Sequence, residues 1–124
     1  MNYYDMYGNP VGMERWSQLL TQPKHVAEDY VTLGGQRFHV STVWLGLDHN
    51  FMPGGPPIIF ETMIFADDGS FEDLYCVRYS TREQALAGHR RAIRWLRRLV
   101  RDVVRTKTRK APLIHNGGKP KVLA

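Results

Sequence analysis

Three side chains spread along the sequence, His49, Glu61 and His89, are of types that do acid–base or metal chemistry. Glu61 stands in the apolar run Ile58-Ile59-Phe60-Glu61-Thr62-Met63-Ile64-Phe65. An unpaired carboxylate buried there would be strongly disfavoured or neutralised, so it needs a partner. One answer is a site at the end of the sheet, with His49 from a Gly/Pro-rich loop and His89 from the inward stripe of a helix. A glutamate and two imidazoles are adequate ligands for a divalent metal such as zinc or iron, and a carboxylate beside an imidazole suits general acid and base work. The spacing matches no compact ligand motif such as His-Glu-x-x-His, and a histidine on an apolar stripe is more often a hydrogen-bonded core residue. The plainer answer is Arg78. If the turn at 67–70 sets a simple hairpin register, Glu61 falls opposite or next to Arg78, and the two form an ion pair within the sheet.

Nucleophiles are poorly represented. Ser41, Thr42 and Cys76 each fall within a strand pattern and none sits on a Gly-x-Ser-x-Gly turn. Cys76, the only cysteine, reads as a small core residue, and no internal disulfide can form. Gly34-Gly35 and Gly54-Gly55 are turn glycines and belong to no phosphate-binding loop, which argues against nucleotide-cofactor chemistry. Apart from the divalent metal considered above, no cofactor is expected.

The strongest physical signal is a row of arginines. Arg90, Arg94, Arg97, Arg98, Arg101 and Arg105 fall on one arc when residues are turned by about 100° each, and Lys107, Arg109 and Lys110 continue the positive charge. A guanidinium grips phosphate oxygens in two places, and each neutralised phosphate releases counterions, so such a row favours strong, salt-sensitive polyanion binding. Trp95 lies at the edge of the arc, where an indole can stack on an unpaired base. The alternative is a solvated face whose arginines pair with Asp67, Asp68, Glu72 and Asp73 of the same or a neighbouring subunit, which would make the chain a homo-oligomeric interaction protein.

Charge distribution supports the same emphasis. Met1 to His89 holds five basic residues against eleven acidic ones, whereas Arg90 to Ala124 holds twelve basic residues and a single acid, Asp102. The formal total of +5 therefore conceals two oppositely charged ends, a layout that concerns association and not fold.

The elements that must position these residues follow from periodicity. Met13, Trp16 and Leu20 recur at helical spacing before Pro23, giving a short helix at 12–21. Tyr30 to Leu33 and Arg37 to Leu45 read as a hairpin around Gly34-Gly35. In its second strand Phe38, Val40, Thr42 and Trp44 share one face, and His39, Ser41, Val43 and Leu45 the other. Gly46 to Pro57 is a loop, residues 58–65 form a central strand apolar on both faces, and Leu74 to Tyr79 adds a further strand after the Asp67-Asp68-Gly69-Ser70 turn. Ser80-Thr81-Arg82-Glu83 has capping-box form and opens a helix at 82–105, whose stripe Leu86, His89, Ile93, Leu96, Val100 and Val103 repeats in steps of three and four. The fold expected is α+β: a meander of about four antiparallel strands packed by a long C-terminal amphipathic helix, with a short N-terminal helix beside it. A single domain spans 1–105, and 106–124, with five basic residues and two prolines, is a basic tail.

The run His39-Val-Ser-Thr-Val-Trp-Leu-Gly-Leu-Asp-His-Asn-Phe51, the run Gly-Gly-Pro-Pro-Ile-Ile-Phe-Glu-Thr-Met-Ile-Phe65, and Tyr79-Ser-Thr with Ala87-Gly-His89 resemble a family of small proteins encoded by tailed phages of actinobacteria. The opening Tyr-Tyr-Asp to Gly-Asn-Pro and Met-Glu-Arg-Trp16 resemble the N-termini of the same family, so the likeness covers most of residues 3–89. It implies a phage origin and the cytoplasm of a bacterial host, and it carries no assigned activity. The arginine helix and basic tail depart from the family, whose members tend to be shorter and more acidic there. No window approaches the roughly 18 apolar residues of a membrane span, and the start lacks a basic region followed by an apolar stretch. The sequence thus points to a non-enzymatic accessory or regulatory protein whose partner is a nucleic acid or a host or phage protein.

Overall fold

The computed structural model describes residues 2–70 and 72–110. The chain opens with a small hairpin, β1 (Tyr3–Tyr4) and β2 (Pro10–Val11), whose turn is held by Asp5: its carboxylate accepts backbone N–H bonds from Tyr7 and Asn9, both at 2.9 Å. Helix α1 (Met13–Leu19) follows, and then β3 (His25–Leu33), β4 (Gln36–Trp44), β5 (Phe60–Ala66), β6 (Asp73–Tyr79) and α2 (Arg82–Lys110). The last four strands form one antiparallel sheet in the order β3-β4-β5-β6, the expected meander. Gly34 and Gly35 both adopt positive φ, 57° and 80°, the geometry of a two-residue hairpin turn that matches strand twist.

The alternation read along β4 holds. Phe38, Val40, Thr42 and Trp44 are buried beneath α2, opposite Ala66, Ile64, Thr62 and Phe60 of β5. Ala85, Ala92 and Leu96 of α2 are fully buried on the same side. The core is in two parts. Phe38, Val40, Ile64, Ala92 and Leu96 form one cluster; Trp44, Ile59, Phe60, Tyr79 and Ala85 form the other, with Tyr4, Met6, Trp16, Leu19 and Leu20 of the N-terminal segment packed against it. Small residues at 85, 88 and 92 let the helix come close to the sheet. At Gly88 a Cβ would run into the Tyr79 ring.

The structure revises several boundaries. β3 begins at His25, five residues before the expected start, because a polar edge strand needs no apolar alternation on its solvent side. The cap of α2 is displaced by one residue: the Gln84 backbone N–H donates to Thr81 Oγ1 at 3.1 Å, and Gln84 Oε1 accepts from the Ser80 and Thr81 backbones. The box is therefore Thr81 with Gln84 instead of Ser80 with Glu83. α2 also continues past 105 to Lys110, with the Thr106 and Thr108 hydroxyls donating back to the Asp102 and Val104 carbonyls. Most of the tail assigned to 106–124 lies outside the described residues.

β5 was expected to be covered on both sides. Only the face bearing Phe60, Thr62 and Ile64 lies under a helix; among the described residues α2 is the element outside the sheet with which its four strands make extensive contact. The other face presents Glu28, Tyr30, His39, Ser41, Glu61, Met63, Phe65, Cys76 and Arg78, several of them half-buried by one another. Cys76 belongs to this outer face and is exposed, not a core residue as its type suggested.

Candidate polyanion interface

The arginine arc rides on a helix whose other side is fixed. α2 is unbroken from Arg82 to Lys110, and His89, Ala92 and Leu96 anchor its inner face to the sheet. Arg90, Arg94, Arg97, Arg98, Arg101 and Arg105 are all exposed on the outer face, and Lys107 is exposed beyond them. From Arg90 to Arg105 the row is about 22 Å long at 1.5 Å per residue, with its six guanidinium stems within roughly 100° of arc. Arg91, omitted from the sequence-derived set, is exposed at the flank of the arc. Its charge reaches the Tyr75 phenol, whose pKa burial and Tyr79 push up and Arg91 pulls back. The side chains of Arg109 and Lys110 lie outside the described residues.

Few of these charges are met among the described residues. Among the described residues the arc makes one ion pair, Arg101 with its neighbour Asp102 at 4.0 Å, at the limit of contact and with both side chains more than half exposed. The acidic turn before β6 is engaged elsewhere. Asp67 pairs with Arg37 at 3.6 Å, and Asp68 accepts the Ser70 backbone N–H at 2.9 Å, which, with a further bond from the Ser70 side chain, holds its carboxyl below the usual range. Trp95 is half-buried, its ring 5.0 Å from that of Tyr75 and packed at the edge of the core.

The other sequence-derived residues do not converge. His89 is buried on the helix side, with Nδ1 2.7 Å from Thr42 Oγ1 and Nε2 2.7 Å from Asp29 Oδ2. Glu61 points from the opposite face of the sheet and accepts from Arg78 Nε at 2.8 Å, across the register pair Glu61↔Arg78. His49 stays in its loop with Nδ1 2.9 Å from the Leu47 carbonyl. The sheet itself separates Glu61 from His89, so the divalent-metal site imagined for His49, Glu61 and His89 is not assembled; the ion-pair reading of Glu61 is the one realised.

A different group does come together: His25, Glu28 and His39 on the open face. Strand alternation alone hides it, because residues three apart on a regular strand face opposite ways. A bulge between His25 and Ala27 shifts the phase, so that His25 pairs with Val43 and Glu28 with Ser41, both on the outer face. The likeness of His89 to a core histidine was legible; its partner Asp29 was not, since that contact depends on where α2 crosses the edge strand.

No helix among the described residues is long and apolar enough to cross a membrane. Comparison of the chain with protein-family models, with curated proteins and with solved structures finds no match.

Proposed function

We propose that the chain is a non-enzymatic accessory protein that binds a polyanion, a nucleic acid foremost, through the outer face of α2. The observation that carries this reading is the row of six exposed guanidinium groups on a helix held rigidly by its inner face, with only the weak Arg101–Asp102 contact to offset it among the described residues. Electrostatic attraction of this kind is sequence-tolerant and does not require a deep pocket, since phosphate contacts position a partner and base contacts specify it. A row of about 22 Å runs alongside about six base-pair steps of duplex. The half-buried Trp95 argues for backbone contact in preference to base stacking. The resemblance of residues 3–89 to small proteins of tailed actinobacterial phages is consistent with a role in the cytoplasm of an infected bacterium.

The test is charge reversal on the arc. Arg94, Arg97, Arg98 and Arg101 changed together to Glu are expected to abolish retention on heparin and on immobilised DNA, while the circular dichroism spectrum and unfolding midpoint stay near wild type. Unchanged retention would remove the proposal.

A further inference from the structure

We infer that His25, Glu28 and His39 form a binding site for a divalent transition ion of the zinc class on the open face of the sheet, a site independent of the arginine arc. His25 Nε2 lies 2.9 Å and His39 Nε2 3.0 Å from the same oxygen, Glu28 Oε2, and all three atoms lie within 4.8 Å of one another. In a tetrahedral zinc site with bonds of about 2.0–2.1 Å the ligand atoms are about 3.3 Å apart, so these donors need move only by small side-chain rotations to share one ion. Two imidazole nitrogens and one carboxylate oxygen select for zinc, cobalt, nickel or iron over magnesium and calcium, which favour all-oxygen shells.

The backbone is arranged to make this cluster. Without the bulge after His25, that ring would face α2 instead of Glu28, and re-aiming one side chain is a common use of a strand bulge. The orientation of His39 is fixed from outside: its ring stacks on Tyr30 with centroids 4.5 Å apart and planes 5° from parallel. The Arg37 guanidinium lies 4.2 Å from the Tyr30 centroid, its charge partly met by Asp67. Stacking of this kind limits rotation of the His39 ring and so lowers the ordering cost of ligation. Ser41 Oγ, 3.1 Å from His25 Nε2, adds a neutral oxygen at the rim. The side chains of His25, Glu28 and His39 are 46%, 38% and 25% exposed, so an ion reaches them from solvent without any opening of the fold. Three protein ligands leave further positions to water, the pattern of an open site and not of a closed structural one.

As a metal-free network the cluster is a half-exposed carboxylate accepting from two rings, an arrangement worth little to stability. That alternative predicts no stoichiometric uptake of metal, and titration separates the two. The full chain, stripped with chelator and dialysed, is titrated with zinc chloride by calorimetry and with cobalt(II) by visible absorption. The inference predicts one saturable equivalent, visible bands of four- or five-coordinate cobalt, and affinity at least tenfold weaker in each of His25→Ala, Glu28→Gln and His39→Ala. His49→Ala, remote from the cluster, should bind as wild type. In the unmodified chain, zinc should shift the ring resonances of His25 and His39 and leave those of His89 in place, a readout that does not depend on any variant folding. No saturable binding, binding that survives His39→Ala, or shifts confined to other histidines would overturn it.

Discussion

His89 Nε2 and Asp29 Oδ2, sixty residues apart in the chain, meet at 2.7 Å and tie the first third of α2 to the edge strand of the sheet. Nε2–H donates to the Asp29 carboxylate, Nδ1 lies 2.7 Å from the Thr42 hydroxyl, and that hydroxyl is hydrogen-bonded to Thr62 Oγ1 at 2.6 Å. This polar thread runs between the two apolar clusters and satisfies every group in it. His89→Ala should therefore cost about 2–4 kcal/mol, combining a cavity with a buried Thr42–Thr62 hydroxyl pair left one hydrogen bond short. Asp29→Asn, at a half-exposed position, should cost no more than about 1.5 kcal/mol. Urea unfolding checks both, and a His89→Ala loss under about 0.5 kcal/mol would show that the thread contributes nothing.

Gly88 tests how closely α2 approaches the sheet. In an open helix Gly→Ala gains about 1 kcal/mol, yet a Cβ here meets the Tyr79 ring. Gly88→Ala should destabilise by about 1–2 kcal/mol in the wild-type background and stabilise by about 1 kcal/mol in Tyr79→Ala, where the ring is gone. A gain in both backgrounds would show that the Tyr79 ring does not limit the approach of α2 to the sheet.

Asp5 makes a definite prediction for the acid limb. Burial pushes its carboxyl up, but the bonds from the Asn9 backbone and side chain and from the Tyr7 and Gly8 backbones outweigh it and leave the pKa below 3.8. A pKa lower in the folded state than in the unfolded chain stabilises the fold above the unfolded value, and that contribution is lost as pH falls through the folded one. Asp5→Ala should lower stability at neutral pH and flatten its decline below about pH 4, measured as unfolding midpoint against pH. Parallel curves for variant and wild type would refute this.

Cys76 should react sluggishly despite its exposure. Burial of the sulfur raises its pKa, and the nearby Glu61 carboxylate, 3.7 Å away, raises it further against the opposing pull of Arg78. Less thiolate is then present at neutral pH than for a free cysteine, and thiolate is the reactive form. Glu61→Gln should speed modification by a disulfide reagent at pH 8, whereas Arg78→Gln should slow it. Equal rates in all three proteins would contradict the coupling.

What the sequence disclosed and what it concealed divide along physical lines. Glu61 and Arg78 could be matched to within one residue because a short turn and a period of two nearly fix hairpin register; the slip in β6 lies between the turn and that pair, and its extra residue sets Arg78 instead of Val77 directly opposite Glu61. The arginine arc could be drawn because helical spacing is local and α2 carries no interruption. His25, Glu28 and His39 could not be gathered, because a single bulged residue reverses which way His25 points and nothing in the residue types announces it. Asp29 carries no sequence signal of its own, because its role arises only where α2 lays His89 against the edge strand. The trio His49, Glu61 and His89 was drawn together by residue type and by an expected meeting at one end of the sheet, and the two faces of the sheet hold Glu61 and His89 apart.

The central claim, that the outer face of α2 is a phosphate-binding surface, is tested most directly by the salt dependence of duplex DNA binding followed by fluorescence anisotropy. Six arginine–phosphate contacts predict that log K falls with log salt at a slope of about −5, and Arg97→Ala with Arg101→Ala should reduce that slope by about 2 without unfolding the protein. A wild-type protein that fails to bind at about 50 mM salt, or a slope that the double variant leaves unchanged, would contradict the account.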